Sequence, residues 1–391
     1  MPTFPLLHRL PVALVSLLLV VALAAGGCTR DDAAPEVGTH PVYVGTGTDD
    51  PEAGLYRFRF DPDTGALTQS GPVTATMNPT YLALAPDGAH LYSVNETADG
   101  ASVTAFAVDA ATGALTEMNQ VSAQGGAPCY ISVDATGQWV FVANYLGGNL
   151  AVFPVQDDGA LGPASQVVAH TGAGADPDRQ EGPHVHYVRP DPQNQYVLAA
   201  DLGIDQVRVY PFDAATGRLD TTNVRVVETP PATGPRHLAF HPNGERVYLV
   251  GELSGTVTAY DYDAESGQMT ERQTVSTVPD TLDGPARSAA IAVHPSGNHL
   301  YVSNRGAANS LARYRIADDG TLADPVWQRE AITWPRSFTI GPEGQYLFVA
   351  NRRADRITVY RINPDTGALT FTGRTASVPA PTKIVFAGGA S

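Results

Sequence analysis

The sequence predicts an all-β fold, a seven-bladed β-propeller whose blades are four-stranded antiparallel sheets. Composition is the first observation, because 38 Gly and 31 Pro among 391 residues are far more than long helices tolerate. The second observation is an apolar strand that recurs seven times, with 47 to 57 residues between equivalent positions of successive copies. A period of about 50 residues is typical of a propeller blade.

The recurring strand is the clearest element of the repeat. Each copy consists of apolar or small residues and ends on a small or polar one. The last residues of the seven copies are Thr46, Asn95, Asn144, Asp201, Gly251, Asn304 and Asn351. Seven copies predict seven blades.

Other elements recur in phase with this strand. A Pro, a short apolar run and a Pro-Asp-Gly-like turn precede it, as in residues 79–88. A strand of alternating pattern follows, as in residues 103–108, and a period of two indicates a half-buried strand. An Asp-x-x-Thr-Gly-x-Leu hairpin comes next, as in residues 61–67, where Gly suits the left-handed turn position. We interpret these hairpins as structural.

The two ends of the repeat region are complementary. The first copy of the strand, residues 42–46, lacks its preceding Pro element, and the last Pro element, residues 381–386, lacks a following strand. We therefore expect the N- and C-terminal strands to share one blade and close the ring, which removes the free sheet edges. Residues 41–387 are predicted to form this one propeller domain.

The N-terminal segment predicts export and a lipid anchor. His8 and Arg9 precede an apolar stretch, and residues 25–28 (AGGC) resemble a bacterial lipobox. We interpret residues 1–27 as a lipoprotein signal peptide, Cys28 as the lipidated residue and residues 28–40 as a tether. The protein would then face the periplasm or the cell exterior as a membrane-anchored lipoprotein. An ordinary secretory signal is the alternative.

Charge and cysteine content limit the partners. The formal net charge of −16 disfavours nucleic acids and anionic membrane faces, so an anionic ligand needs a local basic pocket. Lys383 is the only lysine, so nearly all positive charge is arginine. Cys129 is the only cysteine besides Cys28, which leaves the domain without an internal disulfide. We expect a monomer.

Two rings of equivalent positions carry unexpected polar groups. The residues directly after the seven repeated strands are Gly47, Glu96, Tyr145, Leu202, Glu252, Arg305 and Arg352. The residues that follow the Pro of each preceding element, or its equivalent, are Thr80, Cys129, His184, Arg236, Ala289, Arg336 and Thr382. A structural repeat needs only small or apolar residues there, so the rings predict a site at one mouth of the central channel. The alternative is a salt-bridged structural plug.

Several segments carry a resemblance to a known family. The chain resembles the lactonase-type seven-bladed propellers, a family that contains bacterial 6-phosphogluconolactonases and is similar to fungal carboxy-muconate lactonizing enzymes. The resemblance covers residues 41–387 and implies lactone-ring chemistry without a cofactor or a required metal. It places the functional residues on His184 or His186, Arg236, Glu252 and Arg305. The segments concerned are NPTYL (78–82), ANYLGG (143–148), GPHVH (182–186), DLGID (201–205), GPRHLAF (234–240) and LYVSNRG (300–306).

The chain also departs from the family pattern. The family often has an acidic and a polar residue where this chain has Ala290 and Ala292, and it commonly has Gln at the position of Arg352. A lost acid and a gained base make the predicted pocket more positive.

Lactone hydrolysis needs a base that activates water and donors for the developing oxyanion. His184 and His186 alternate on a strand and therefore share a face, so one of them can serve as the base. Two alternatives are a buried structural pair and a metal pair, although no third ligand has a diagnostic spacing. Glu252 either orients a histidine, acts as the base or pairs with arginine, and Arg236 and Arg305 suit an anion or the oxyanion. The candidate substrate contacts are Glu96, Asn144, Tyr145, Arg336 and Arg352.

The leading hypothesis is therefore a lactone hydrolase that acts on a small sugar or anionic lactone in the cell envelope. Two alternatives stay open. One is a non-catalytic envelope propeller that binds a ligand or a protein. The other is a cycloisomerase that closes a lactone ring with the same residues.

Overall fold

Every regular element of the computed structural model is a β-strand. The structure describes residues 40–50 and 52–387, and the 29 strands among them form seven sheets around a central channel. The predicted seven-bladed propeller is thus confirmed. The predicted signal peptide and Cys28 lie outside the described residues.

The blades follow one another in chain order. Blade 1 contains β1 (His40–Thr46), β2 (Tyr56–Asp61) and β3 (Ala66–Gln69), and blade 2 contains β4 (Leu82–Leu84), β5 (His90–Asn95), β6 (Ser102–Val108) and β7 (Leu115–Ser122). Blade 3 contains β8 (Pro128–Val133), β9 (Trp139–Asn144), β10 (Asn149–Pro154) and β11 (Gln166–Ala169). Blade 4 contains β12 (Val185–Pro190), β13 (Tyr196–Asp201), β14 (Gln206–Asp213), β15 (Arg218–Leu219) and β16 (Arg225–Glu228).

The remaining blades complete the ring. Blade 5 contains β17 (Pro235–Phe240), β18 (Arg246–Gly251), β19 (Thr256–Asp263) and β20 (Gln268–Ser276). Blade 6 contains β21 (Ser288–Val293), β22 (His299–Asn304), β23 (Ser310–Ile316) and β24 (Leu322–Gln328). Blade 7 contains β25 (Pro335–Ile340), β26 (Tyr346–Asn351), β27 (Arg356–Ile362) and β28 (Leu369–Ser377), and the last strand is β29 (Pro381–Phe386).

The two chain ends close the ring as predicted. Strand β29 pairs antiparallel with β1, with Val42 opposite Phe386 and Val44 opposite Ile384. Blade 1 therefore has the order β29-β1-β2-β3. The C-terminal strand supplies the innermost position, so no blade presents an unpaired inner edge to the channel.

Blade 4 differs from the other six in its outermost strand. Both β15 and β16 pair with β14, so two short strands occupy the position that a single strand fills elsewhere. Asp220 lies between them and accepts hydrogen bonds from the backbone of Thr222 and from the side chain of Asn223 at 2.8 and 2.7 Å. This local turn interrupts the strand.

The outer hairpins form the turns that the repeat predicts. In the Asp213 hairpin, Thr216 Oγ1 donates to Asp213 Oδ2 at 2.6 Å, and Gly217 N donates to Asp213 O at 2.8 Å. Gly217 has φ of 67°, a left-handed conformation that costs glycine little. These hairpins lie at the perimeter, away from the channel.

The second strands of the blades also contact the next blade. They are buried, and their tyrosines reach the neighbouring hairpin: Tyr43, Tyr92, Tyr248 and Tyr301 donate to the carbonyl oxygens of Gly113, Gly159, Gly320 and Gly367 at 2.7–3.0 Å. The apolar clusters likewise lie between neighbouring blades. Packing around the ring therefore fixes the position of each blade.

The innermost strands line the channel and define its two ends. We call the end where they begin the mouth, and the end where they turn into the second strands the opposite end. Loops that join second to third strands also lie at the mouth, because antiparallel neighbours reverse direction. Both predicted rings therefore lie at the mouth.

Candidate active site

The pairing between the first and second strands of each blade shows which residue of the innermost strand lies at the mouth. Pro235 pairs with Gly251 in blade 5, and Val185 pairs with Asp201 in blade 4. His186, and not His184, is therefore equivalent to Arg236. The sequence-based ring used His184 because it follows Pro183, but β12 begins two residues after that proline. The corrected ring is Thr80, Cys129, His186, Arg236, Ala289, Arg336 and Thr382.

A buried glutamate holds three arginines at the mouth. Glu252 follows β18, and its carboxylate accepts from Arg236 Nε at 2.7 Å and from Arg305 Nη2 at 2.8 Å. Its second oxygen accepts from Arg179 Nη2 at 2.9 Å. Only 7% of the Glu252 side chain and 2% of the Arg236 side chain are exposed. Of the three roles considered for Glu252, pairing with arginine is the one whose contacts are present.

Electrostatics keep this cluster ionised. Burial by itself raises the pKa of a carboxyl group, but Arg305 and Arg236 outweigh it and hold the pKa of Glu252 well below its usual range. Burial, followed by the charge of Arg305, lowers the pKa of Arg236 to about 10. Glu252 is consequently a carboxylate at neutral pH and a weak base.

Backbone carbonyls fix the two buried arginines. Arg236 Nη1 donates to Ala289 O at 2.7 Å, and Arg305 Nε donates to Arg287 O at 3.0 Å. Each guanidinium thus has a carboxylate and a carbonyl as acceptors, and its planar donors have little freedom.

His184 is oriented from both sides of its ring. Its Nδ1 lies 2.9 Å from Tyr145 O, so Nδ1 donates, and its Nε2 lies 3.1 Å from Glu181 Oε1. The Tyr145 ring stacks on the imidazole at 4.4 Å with an interplanar angle of 8°. Asp201 Oδ1 accepts from His184 N at 2.7 Å. Because Glu181 is exposed, Nε2 is the nitrogen that faces the solvent side.

His186 lies deeper than His184. Its ring contacts the Tyr145 ring at 5.6 Å and the His237 ring at 5.3 Å. Burial, and next the charge of Arg236, lower the pKa of both His186 and His237 well below the usual range. Both imidazoles are therefore neutral at pH 7. The two histidines of the His-x-His pair have different surroundings.

Three further candidates, Glu96, Arg336 and Arg352, lie on the rim of the mouth. Thr80 Oγ1 donates to Glu96 Oε2, and Arg336 Nη2 lies 3.4 Å from the same oxygen. Arg352 Nη2 donates to Gly47 O at 3.2 Å. Burial, then the charge of Arg336, lower the pKa of Arg352. These side chains are half-buried, so they border the entrance to the cluster.

Asn144 is the one candidate that the structure does not bring to the cluster. Its side chain is fully buried, and Nδ2 donates to Ala123 O and Asn149 Oδ1 at 2.8 and 2.7 Å. It holds the loop that carries Tyr145.

Cys129 is also buried, with Sγ 3.7 Å from His186 Nδ1.

Sequence reasoning missed Arg179, Glu181 and His237. Arg179 and Glu181 precede β12 in the longest interval of the repeat, 57 residues, and that irregular length was the available signal. His237 directly follows Arg236, and its ring lies 3.2 Å from Arg236 Nη1. Five arginines and three glutamates thus meet at the mouth of an acidic protein.

Two features are absent from the described residues. Residues 40–50 and 52–387 contain no group of three His, Cys, Asp or Glu side chains arranged to hold a metal ion. Over the same residues, no helix has the length and apolar character needed to cross a bilayer.

Fold and site together define a class: a seven-bladed propeller with an ionised arginine–glutamate cluster beside an oriented histidine. The chain belongs to the lactonase family of seven-bladed β-propellers, since the family model described as "Lactonase, 7-bladed beta-propeller" matches residues 41–386.

Relatives and solved structures agree with this membership. The 6-phosphogluconolactonase of Bacillus subtilis is 37% identical over 346 residues, which are 88% of this chain and 97% of that protein. The 6-phosphogluconolactonase of Formosa agariphila is 30% identical over 84% of this chain and 94% of its own. The structure of the periplasmic gluconolactonase of Pseudomonas aeruginosa superposes with a TM-score of 0.84 at 34% identity, covering 90% of this chain and 99% of that one.

Proposed function

We propose that the protein is a hydrolase that opens the ring of a small sugar lactone or anionic lactone at the channel mouth. The observation that carries the proposal is the cluster in which Glu252 fixes three arginines, one of which, Arg179, donates to the hydroxyl of the Tyr145 that stacks on His184. The relatives named as lactonases support the same reaction class.

In the proposed reaction, His184 accepts a proton from water and later gives it to the leaving ring oxygen. Water attacks the lactone carbonyl carbon and gives its proton to His184 Nε2. For this step the exposed Glu181 releases Nε2, which then offers a lone pair because Nδ1 carries the proton that it donates to Tyr145 O. The tetrahedral oxyanion then collapses and breaks the ring C–O bond, and the ring oxygen takes the proton from the imidazolium. One water is added, and a hydroxy acid is released. Glu181 stabilises the transient imidazolium.

Arginines stabilise the negative charge. The side chains of Arg179 and Arg305 are 35% and 9% exposed and suit the oxyanion, because guanidinium donors held in advance need little reorganisation. Arg236 is only 2% exposed and acts by holding Glu252. Arg336 and Arg352 on the rim suit a carboxylate or a phosphate of the substrate.

The proposal includes export. The predicted lipoprotein signal of residues 1–27 and lipidation at Cys28 place the site outside the cytoplasm, and the similarity to a periplasmic gluconolactonase supports that address. A Cys28→Ser variant should leave the membrane fraction while the parent protein stays in it.

The test follows acid release from glucono-1,5-lactone and from its 6-phosphate, with spontaneous hydrolysis subtracted. Arg305→Gln should lower kcat about 10²–10³-fold and His184→Gln about 10²–10⁴-fold. Arg374→Gln, an exposed arginine on β28, is the matched control and should retain full activity. Unchanged rates in both site variants would overturn the site assignment.

Two outcomes would favour the alternatives. Turnover of no lactone, combined with saturable binding of a sugar acid, would indicate a non-catalytic propeller. Accumulation of a lactone from an unsaturated acid would indicate a cycloisomerase.

A further inference from the structure

The rim between blades 6 and 7 carries a group of side chains that the mouth site does not use. Arg287 precedes β21, Trp334 precedes β25, and Arg353 lies two residues after β26. The guanidinium carbon of Arg353 lies 3.4 Å from the centroid of the Trp334 ring, and that of Arg287 lies 6.0 Å from it. Both arginines are exposed, and Trp334 is half-buried. We call these three side chains the outer patch.

The propeller repeat does not require an arginine or a tryptophan at these places. In six blades, the residue before the Pro of the innermost-strand element, or its equivalent, has a left-handed backbone with φ between 36° and 61°. Such a φ is unfavourable for a bulky side chain. In chain order these residues are Asn78, Ala127, Gly234, Arg287, Trp334 and Ala380. Only blades 6 and 7 place bulky side chains at the strained position, which indicates a local function.

Arg353 is a similar exception. None of the equivalent residues in the other six blades is charged: they are Thr48, Thr97, Leu146, Gly203, Leu253 and Gly306. A guanidinium that stacks on an aromatic face keeps its in-plane N–H donors available for a carboxylate. Within residues 40–50 and 52–387, neither Arg353 nor Arg287 has an acceptor within bonding distance of its guanidinium. The outer patch can therefore bind an anion from outside.

The outer patch borders the mouth site. Arg305 Nε donates to Arg287 O at 3.0 Å, and Arg352 N donates to Trp334 O at 3.2 Å. Trp334 precedes Arg336 by two residues, which span at most about 7 Å of chain. A substituent on the lactone ring itself meets Arg336 and Arg352 first, whereas the outer patch meets the next unit of a longer substrate.

We propose that the outer patch is a specificity subsite for an acidic sugar unit joined to the lactone. The substrate is then a lactone at the end of an acidic disaccharide or longer chain. Its uronate binds Arg353 and Arg287 through charge-assisted hydrogen bonds, and the apolar face of its ring packs beside the Trp334 indole. Local cations are needed to admit such a ligand to a protein with a net charge of −16. This inference rests on the proposed lactone hydrolysis at the mouth.

Two disaccharide lactones test the subsite. One is cellobiono-1,5-lactone, and the other is its analogue in which the second glucose is oxidised to glucuronic acid. We expect kcat/KM to be about fivefold higher for the acidic lactone, the effect of one exposed charge pair. Trp334→Ala and Arg353→Thr should remove this preference and leave kcat/KM for glucono-1,5-lactone unchanged. Ala127 and Thr97 already occupy equivalent positions, so the fold should tolerate both changes, and Arg374→Gln is the matched control that keeps the preference.

A binding measurement separates the subsite from the reaction. The hydrolysed acidic disaccharide should change the tryptophan fluorescence saturably, and cellobionic acid should bind about fivefold more weakly. Trp334→Ala should abolish the change, because the other two tryptophans, Trp139 and Trp327, are fixed by indole hydrogen bonds to backbone carbonyls at 2.8 Å.

The outcomes distinguish the two proposals. Binding of the acidic disaccharide without turnover of any lactone would contradict the reaction and support the outer patch as a site for acidic sugars. Equal rates for the two disaccharide lactones, or a preference that survives Arg353→Thr, would overturn the subsite and leave the reaction in place. If Arg353→Thr instead removed a preference for the 6-phosphate of gluconolactone, the patch would serve a substituent of the lactone ring, which would also overturn the proposal.

Discussion

The two ends of the channel treat positive charge differently. At the mouth, Arg236 and Arg305 share the carboxylate of Glu252 within 2.8 Å. At the opposite end, Arg189 and Lys383 line a cavity that no acidic side chain lines. A cluster that supplies its own counter-charge is held in place before any ligand arrives. The mouth cluster is therefore preorganised by its own carboxylate, whereas the lining of the cavity at the opposite end contains none.

Removing the counter-charge at the mouth should give the largest effect. Glu252→Gln leaves the buried Arg236 and Arg305 without a carboxylate, and we expect the free energy of unfolding to fall by about 3–5 kcal/mol. Denaturation in urea measures this loss. Glu96→Gln is the matched control, since Glu96 has the equivalent position in blade 2 but is 24% exposed, and its cost should stay below about 1 kcal/mol. If both variants lost a similar free energy of unfolding, burial of Glu252 would not explain the effect.

Because His186 and His237 are neutral in the fold, the protein should lose stability at acidic pH. Their pKa values are lowered in the fold, so the unfolded chain binds more protons below its histidine pKa of about 6.5, and stability falls as pH falls through that value. We expect a loss of up to about 2 kcal/mol per histidine between pH 7.5 and 5. Unfolding of His186→Gln should show a shallower pH dependence than the parent. An unchanged slope would show that His186 is protonated in the fold.

Removing a charge at the opposite end of the channel should raise the free energy of unfolding and not lower it. Lys383→Met fills the same space without a charge, and we expect the free energy of unfolding at pH 7 to rise by about 1 kcal/mol. Because the pKa of Lys383 is lowered to about 8, the folded protein releases its proton before the unfolded chain does, so parental stability should rise with pH above 8. Thermal unfolding from pH 7 to 10 tests both statements. A less stable variant at every pH would mean that Lys383 is already compensated.

The rim of the mouth should give the smallest change in stability. Arg336 pairs with Glu96 at 3.4 Å, and its side chain is 15% exposed, so Arg336→Gln should cost less than about 1 kcal/mol. The KM for a phosphorylated lactone should nevertheless rise about tenfold, because a charged contact is lost. The control is Arg315→Gln, which breaks an ion pair with Asp324 on an outer strand and should leave KM unchanged. A KM unaffected by Arg336→Gln would remove Arg336 from the substrate contacts.

Local patterns were sufficient to predict the fold. The repeated strand, the Pro element and the Asp-Thr-Gly hairpin each recur within one blade, and period-two alternation is a property of neighbouring residues. Glu252, Arg305 and Arg236 were found because they interrupt the repeat at equivalent positions. His184 was assigned to the ring in place of His186 because β12 starts two residues later than the proline suggests, which only strand pairing reveals.

The sequence by itself determined the number of blades, their four-stranded hairpins and the closure of the ring, because these follow from patterns that span one repeat. Only the tertiary structure decided which charges meet. Arg179 reaches Glu252 from 73 residues away, and Lys383 joins Arg189 from another blade to line a cavity. Charge compensation depends on distances through space at the channel axis, where all seven blades converge, and no periodicity along the chain encodes those distances.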